Sequence, residues 1–412
     1  MTGVAVRQWE PHCSVAGTAL PRLDHPQNLR IDPMKGNTAR LFSTTLLTVA
    51  LTGTGVAAGA TEVQHHGGGT VSPGDQTELA NSLVGPLRIA AGPGESTYVT
   101  QNFAGLLSSV GGDGVVTNLV ERPNIEVGGV TTHGPDTYFT ESVGGPGETR
   151  PLVANVSVLR NGAATVLADL AAFETANNFD AKSEYGLQNT PQSCLDQLPP
   201  PIAPYAGPHG GEVYSHPYAT ALDPTGHTLF VADAGANSIF AVDLATGAVR
   251  FISLIGPVPT VLTAADAAEF GLPACTIGET YNSEPVPTDI EVGKDGYLYV
   301  SSLPGVPEGE MAGSVLKIDP ATGNGASVIV GLHTPTGLAF DNKGNLFIAE
   351  LMANRISVVP AGTTTAVLFS QAVLPADVEV DQKGLLATTN VLPAPDAPPN
   401  GMLVRYGLVY GG

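Results

Sequence analysis

The stretch Thr334-Pro-Thr-Gly-Leu-Ala-Phe-Asp-Asn-Lys-Gly-Asn-Leu-Phe-Ile-Ala-Glu350 decides the fold. It reads as a proline, an apolar strand, an Asp/Gly turn, and a second apolar strand that ends on a polar residue. Alternation of period two marks both halves as strands, and Gly344 sits where a tight hairpin needs a positive φ. The same unit recurs along the chain. Copies run from Pro287 to Ser302, Pro217 to Asp233, Pro375 to Thr389 and Pro86 to Gln101, with a weaker one from Ile125 to Glu141. Their turn glycines are Gly94, Gly134, Gly226, Gly296, Gly344 and Gly384. Most lie about 40 residues apart, the length of a four-stranded propeller blade. Third strands follow, as in Ser238–Asp243, Ser314–Asp319 and Arg355–Val359.

Six copies predict an all-β chain folded as a six-bladed β-propeller over residues 77–412. Two intervals are longer than the rest, so two blades carry insertions, about 174–215 and 253–285. The last unit ends at Leu403-Val-Arg-Tyr406 without a fourth strand. Glu78–Leu83 is expected to supply it, closing the ring and removing two exposed edges.

Composition agrees with short strands and many turns. The chain has 412 residues, 50 Gly, 34 Pro and only 13% charged residues. Its formal net charge of −21 argues against nucleic acid or an anionic membrane as partner. From Met34 the chain reads as a secretory signal peptide: a basic start at Lys35 and Arg40, an apolar run from Leu41 to Leu51, then Ala58-Gly-Ala60. Cleavage is expected after Ala60, which makes the protein secreted. Residues 1–33 read as a gene-model extension and 61–76 as a flexible tail. The apolar run is far shorter than the ~20 residues of a membrane span, so the mature form is expected to have none and to be a monomer. Of three cysteines, Cys13 leaves with the leader. Cys194 and Cys275 fall one in each insertion and are expected to pair in an exported protein.

The blade Asp233-Ala-Gly-Ala-Asn-Ser-Ile-Phe-Ala-Val-Asp243, preceded by His216-Pro-Tyr218, resembles the signature blade of ScyD/ScyE family proteins. Gly293-Lys-Asp-Gly-Tyr-Leu-Tyr-Val-Ser-Ser-Leu-Pro-Gly305 is similar to the next blade of that family. The resemblance covers about 77–410 and shares single motifs with NHL and SMP-30-like propellers. It implies an exported propeller and no particular chemistry.

Two sets of positions are candidates for function. The first follows the unit's proline: Arg88, Asp289 and Asp377, with His216 just before its own. Arg88, Asp289 and Asp377 are candidates to bind a polar ligand at the channel mouth, or to form an ion-pair belt around it. His216 is the candidate acid or base. The second set ends the second strand of each unit: Gln101, Glu141, Asp233, Ser302, Glu350 and Thr389. Its carboxylates Glu141, Asp233 and Glu350 are candidates for Ca²⁺ or another divalent cation. Recurrence in every unit favours the plainer reading, in which these side chains tie loops to strands. No Walker A motif, nucleophile elbow or HExxH occurs. The sequence therefore predicts a binding or scaffold propeller that meets a small molecule or an extracellular protein. The alternative is a metal-assisted lyase or hydrolase of the SMP-30 or streptogramin-lyase kind acting in the channel.

Overall fold

The computed structural model describes residues 71–145, 152–307, 311–392 and 397–411, all within one compact unit. The expected signal peptide and its expected cleavage point after Ala60, Cys13, the segment 1–33 and residues 61–70 of the expected tail lie outside the described residues.

Each repeat becomes a four-stranded antiparallel meander. The first sheet comprises Pro86–Ala91, Thr97–Gln101, Leu106–Val110 and Val116–Glu121. The second comprises Glu126–His133, Asp136–Val143, Val153–Arg160 and Ala163–Asp169. The third comprises Pro217–Leu222, Thr228–Asp233, Ser238–Asp243 and Val249–Leu254. The fourth comprises Pro287–Val292, Leu298–Ser302, Gly313–Ile318 and Gly325–Leu332. The fifth comprises Pro335–Phe340, Leu346–Glu350, Arg355–Val359 and Val367–Gln371. The sixth is composite: Val378–Asp381, Gly384–Thr389 and Gly401–Tyr410 are completed by Val71–Leu83.

That last strand is the expected closure. It starts at Val71, earlier than the Glu78–Leu83 segment, so residues 71–76 belong to the sheet and not to a tail. Its pairing with Gly401–Tyr410 runs from Val71 opposite Tyr410 to Leu83 opposite Gly401, with irregularities that bend it.

Apolar seams hold each sheet to the next around a full circuit. Leu107 and Val120 of the first sheet meet Val127 and Phe139 of the second. Val156 meets Val231 and Phe240, and Ile239 meets Ile290 and Val300. Val315 and Ile329 meet Ile348, and Phe347 and Phe369 meet Leu385 and Tyr406. Leu386 and Leu403 return to Ile89 and Val99 of the first sheet. Side chains alternate along every strand, so each sheet serves two seams, one per face.

The two insertions, expected as loops, fold against one another. Gly186–Gln188 pairs with Thr280–Ser283, which pairs with Val258–Val261. Leu187, Leu198, Leu262 and Tyr281 form a small core beneath them. Cys194 and Cys275 are joined, with Cα atoms 5.9 Å apart. The helix Leu170–Asn177 leads into the first insertion. The carboxylate of Asp169 accepts from the Ala172 amide at its N-terminus, and Asn178 ends it in the left-handed region. Among the described residues no helix is long and apolar enough to cross a membrane.

Candidate functional site: the axial channel

Five inner strands carry a bulge or register shift near their start, for example between Pro86 and Arg88 and between Pro287 and Asp289. In four of them it falls between the proline and the second residue after it. Bulges re-aim side chains, and here they mark the positions occupied by Arg88, Ala219, Asp289 and Gly337. Asp377 holds the corresponding place after Pro375. The small members leave room for the large ones. A Cβ on Gly337 would lie 2.6 Å from the Asp377 Cα.

The structure brings Arg88, Asp289 and Asp377 together. Arg88 Nη1 lies 3.0 Å from Asp377 Oδ1 and 3.2 Å from Asp289 Oδ1, and Nη2 donates to the Thr336 carbonyl at 2.7 Å. The ring of Tyr218 stacks on the guanidinium at 4.8 Å. Asp377 also accepts from the amides of Ile89 and Val378, and Asp289 from those of Ile290 and Leu338. The three residues are 2%, 4% and 5% exposed for Arg88, Asp377 and Asp289, so the cluster is a plug cut off from bulk water. Burial opposes charge on Arg88, but its two carboxylates outweigh burial and hold its pKa above the ordinary value. Burial pushes Asp377 up to about 8 against the pull of Arg88, and raises Asp289 as well. An apolar cap of Leu87, Tyr218, Leu351, Ala376 and Val391 packs at the same end.

Beyond the plug lies a cavity of about 230 Å³, lined by Thr131, Thr220, Glu291 and Glu379 among others. Glu291 and Glu379 have no hydrogen-bond or ion-pair partner among the described residues. Burial, then the nearby carboxylates, pushes Glu379 up to about 8 and Glu291 well above the carboxylate range. The sequence reading missed both. The signal was present in the repeated Pro-Thr-Asp-Ile-Glu and Pro-Ala-Asp-Val-Glu, which place a second acid two residues beyond the first. The cavity meets a wider hollow of about 890 Å³ at the hairpin-turn end, sharing Glu291 and Glu379 with it. Basic groups on that rim are engaged elsewhere. Lys383 pairs with Glu95, Arg405 with Asp381, and Lys294 donates to the Asn342 carbonyl.

The structure does not gather the candidate cation ligands Glu141, Asp233 and Glu350 into one place, in keeping with the plainer reading of their recurrence. Each is bound within its own sheet. Glu141 takes Arg122 and the Ser157 hydroxyl. Glu350 takes Arg355 at 2.7 Å, Ser357, and the His333 amide at 2.8 Å. Asp233 takes the Ser215 hydroxyl and the amides of His216, Gly235 and Ala236. The physical reason is repetition: equivalent positions in successive sheets are dispersed around the ring. Four of them fasten the lead-in loop of their own sheet. Gln101 accepts from the Val84 amide, Asp233 from His216 and Glu350 from His333. At the matching place the fourth sheet has Pro285, which has no N–H. There Ser302 donates to the Pro285 carbonyl instead. Among the described residues no three His, Cys, Asp or Glu side chains are grouped to hold a metal ion.

His216 is nearly buried, with Nε2 3.2 Å from Glu126 Oε2. Asn102 holds the other oxygen of Glu126 at 3.1 Å. Burial disfavours the imidazolium, but Glu126 outweighs it and raises the His216 pKa. Glu126 is lowered in turn, against burial. Glu126 thus favours the imidazolium form of His216.

Among solved structures, the chain resembles a structural genomics protein of unknown function from Bacteroides thetaiotaomicron VPI-5482, at TM-score 0.50 and 14% identity over 82% of this chain and 77% of that one. It resembles an oxidoreductase described as a glucose dehydrogenase, from Thermus thermophilus, at TM-score 0.50 and 16% identity over 81% and 99%. Virginiamycin B lyase from Staphylococcus aureus matches at TM-score 0.45 and 15% identity over 82% and 99%. The class that the sheet topology and the first two likenesses define is the β-propeller. No family model and no curated protein sequence matches the chain.

Proposed function

We propose that this chain is an exported binding propeller of the ScyD/ScyE type whose channel takes a small organic cation through the hairpin-turn mouth. One observation carries the reading: Glu291 and Glu379 face the cavity without a partner, while every nearby base is already engaged. Four carboxylates, Asp289, Asp377, Glu291 and Glu379, stand around one arginine. A cation seated there would supply the missing positive charge and let the acids ionise. The lead-in end is filled by the Arg88 cluster and its apolar cap, which supports entry from the opposite face.

Calorimetric titration with spermidine, a narrow polycation, tests this. Binding to the wild type is expected to tighten between pH 6 and pH 9 as Glu379 gives up its proton near 8. The double variant Glu291→Gln with Glu379→Gln is expected to bind at least tenfold more weakly. Equal affinity in the two proteins would remove the channel as the site. Chelator-sensitive turnover of a lactone or ester by the wild type would favour the lyase or hydrolase reading instead.

A further inference from the structure

We propose a second binding site, for one Ca²⁺ ion, where the helix Leu170–Asn177 and the loop after it meet the third sheet. It is separate from the channel and uses other residues.

Its ligand set is a group of buried oxygens that no hydrogen bond satisfies among the described residues. Glu174 is 1% exposed, and neither of its carboxylate oxygens has a hydrogen-bond partner. Asp180 is 1% exposed, and its Oδ1 has none. Asn178 Oδ1 and Ser238 Oγ are also buried and unpartnered. A buried polar atom left without a partner costs about 1–3 kcal/mol, and a charged one more. Native proteins keep few such atoms, so a concentration of them in one place marks something that they hold.

Local contacts draw these residues together. The Asn178 amide N–H donates to the Glu174 carbonyl, placing the two one helical turn apart. Asn178 Nδ2 donates to the Gly211 carbonyl, and the Asp180 carboxylate lies against the same glycine. A Cβ on Gly211 would fall 2.0 Å from the Asp180 carboxylate, so glycine alone leaves it room. Asp180 Oδ2 accepts from Asn237 Nδ2 at 3.0 Å and from the Tyr185 hydroxyl at 3.3 Å, and Ser238, the next residue, opens the strand Ser238–Asp243 opposite Asp233. Asp233 stands beside them with its own oxygens already taken.

The charge is uncompensated. Burial first, then Asp233 and Asp180, pushes Glu174 up to about 8. Burial raises Asp180 too, and no lysine or arginine is among the groups acting on either. From the second insertion, Glu284 is pushed up to about 7 by burial and by Asp180. Two carboxylates, an amide oxygen and a hydroxyl make a hard, all-oxygen donor set of mixed charge. Calcium accepts such sets in flexible geometry with ~6–8 ligands, filling the remainder with water. Magnesium demands a near-ideal octahedron and keeps its own waters, so it fits less well.

The experiment uses the full chain after dialysis against EGTA, titrated with CaCl₂ by calorimetry and melted with and without the ion. One Ca²⁺ per chain is expected, with a melting midpoint higher in Ca²⁺ than in EGTA. Glu174→Gln and Asp180→Asn should each weaken binding at least tenfold. Without calcium and above pH 8, where Glu174 ionises, Glu174→Gln should melt above the wild type, because it removes an uncompensated buried charge. The channel double variant of Glu291 and Glu379 should bind calcium as the wild type does, which keeps the two sites distinguishable. No heat and no midpoint change in the wild type would overturn the proposal, as would wild-type affinity in Glu174→Gln. If either charge variant fails to fold, Ser238→Ala decides: weaker binding supports the site and unchanged affinity overturns it.

Discussion

Two groups of buried acids solve one problem in different ways. At the channel plug, Asp289 and Asp377 lie against Arg88 and a set of backbone amides, all of them supplied by the chain. Beside the first insertion, Glu174 and Asp180 face each other's charge with no base in reach. Taking a carboxylate out of water is costly unless a positive charge or hydrogen-bond donors replace the water. The plug carries a base and donors of its own, although burial still pushes Asp377 up to about 8. The insertion cluster must accept protons or an outside cation, so its state depends on what the solution holds.

The sharpest way to break this contrast is to make the plug resemble the insertion cluster. Arg88→Met keeps volume and removes the charge, leaving Asp289 and Asp377 buried and unmatched. A loss of about 3–5 kcal/mol is expected in denaturant unfolding. A loss below about 1 kcal/mol would mean the plug never depended on its arginine. Next in size is the frame around that cluster. Replacing Cys194 and Cys275 together by serine opens a link between residues 81 apart in sequence, and about 2–4 kcal/mol of stability should go with it. Hydrogen exchange should place that loss in the insertions, with the ring protected as before.

The last test is a pH trend, read by its direction. Asp377, Glu379 and Glu174 stand near 8 when folded, against ~4 in an unfolded chain. Between those values the folded state holds more protons than the unfolded state, so stability falls as pH rises. In EGTA the melting midpoint should therefore decline from pH 5 to pH 8 and level off above it. Glu174→Gln should flatten part of that decline, and calcium should flatten the same part in the wild type. Glu350, whose pKa lies below the ordinary value because Arg355, the His333 amide and Ser357 outweigh burial, works in the opposite sense. Its contribution is present above the unfolded pKa and disappears as pH falls through the folded one.

Much of this was written in local sequence. The Pro-to-Gly unit is legible because its hairpin turn and its alternation lie within about 17 residues, and that placed all six inner strands. The missing fourth strand of the last unit pointed to Glu78–Leu83, though not to Val71, since Val71-Ser-Pro-Gly carries the marks of a turn. The pairing of Gly186–Gln188 with Thr280–Ser283 was not legible. Those strands are three and four residues long and nearly a hundred residues apart, so no periodicity announces them. Arg88, Asp289 and Asp377 were found as a set because one offset from the proline marks them all. For Glu141, Asp233 and Glu350 equal register means separate sheets, which is why their recurrence favoured a structural tie over a shared ligand. Glu174 gave no sign at all. It stands in Leu-Ala-Ala-Phe-Glu-Thr-Ala-Asn as any helical glutamate would, and only the burial of its neighbours distinguishes it.

The strand Val71–Leu83 has a consequence in time as well as in space. Its partner, Gly401–Tyr410, is synthesised only after the strands of the other five sheets. Five sheets are made of neighbours in the chain and can zip as they emerge, but the sixth must wait for both ends to meet. Until then the first strand is an unfastened clasp, with its edge open to the wrong partner. The ring therefore has a single late step in its assembly, and a fragment that stops short of residue 401 has nothing to fasten to.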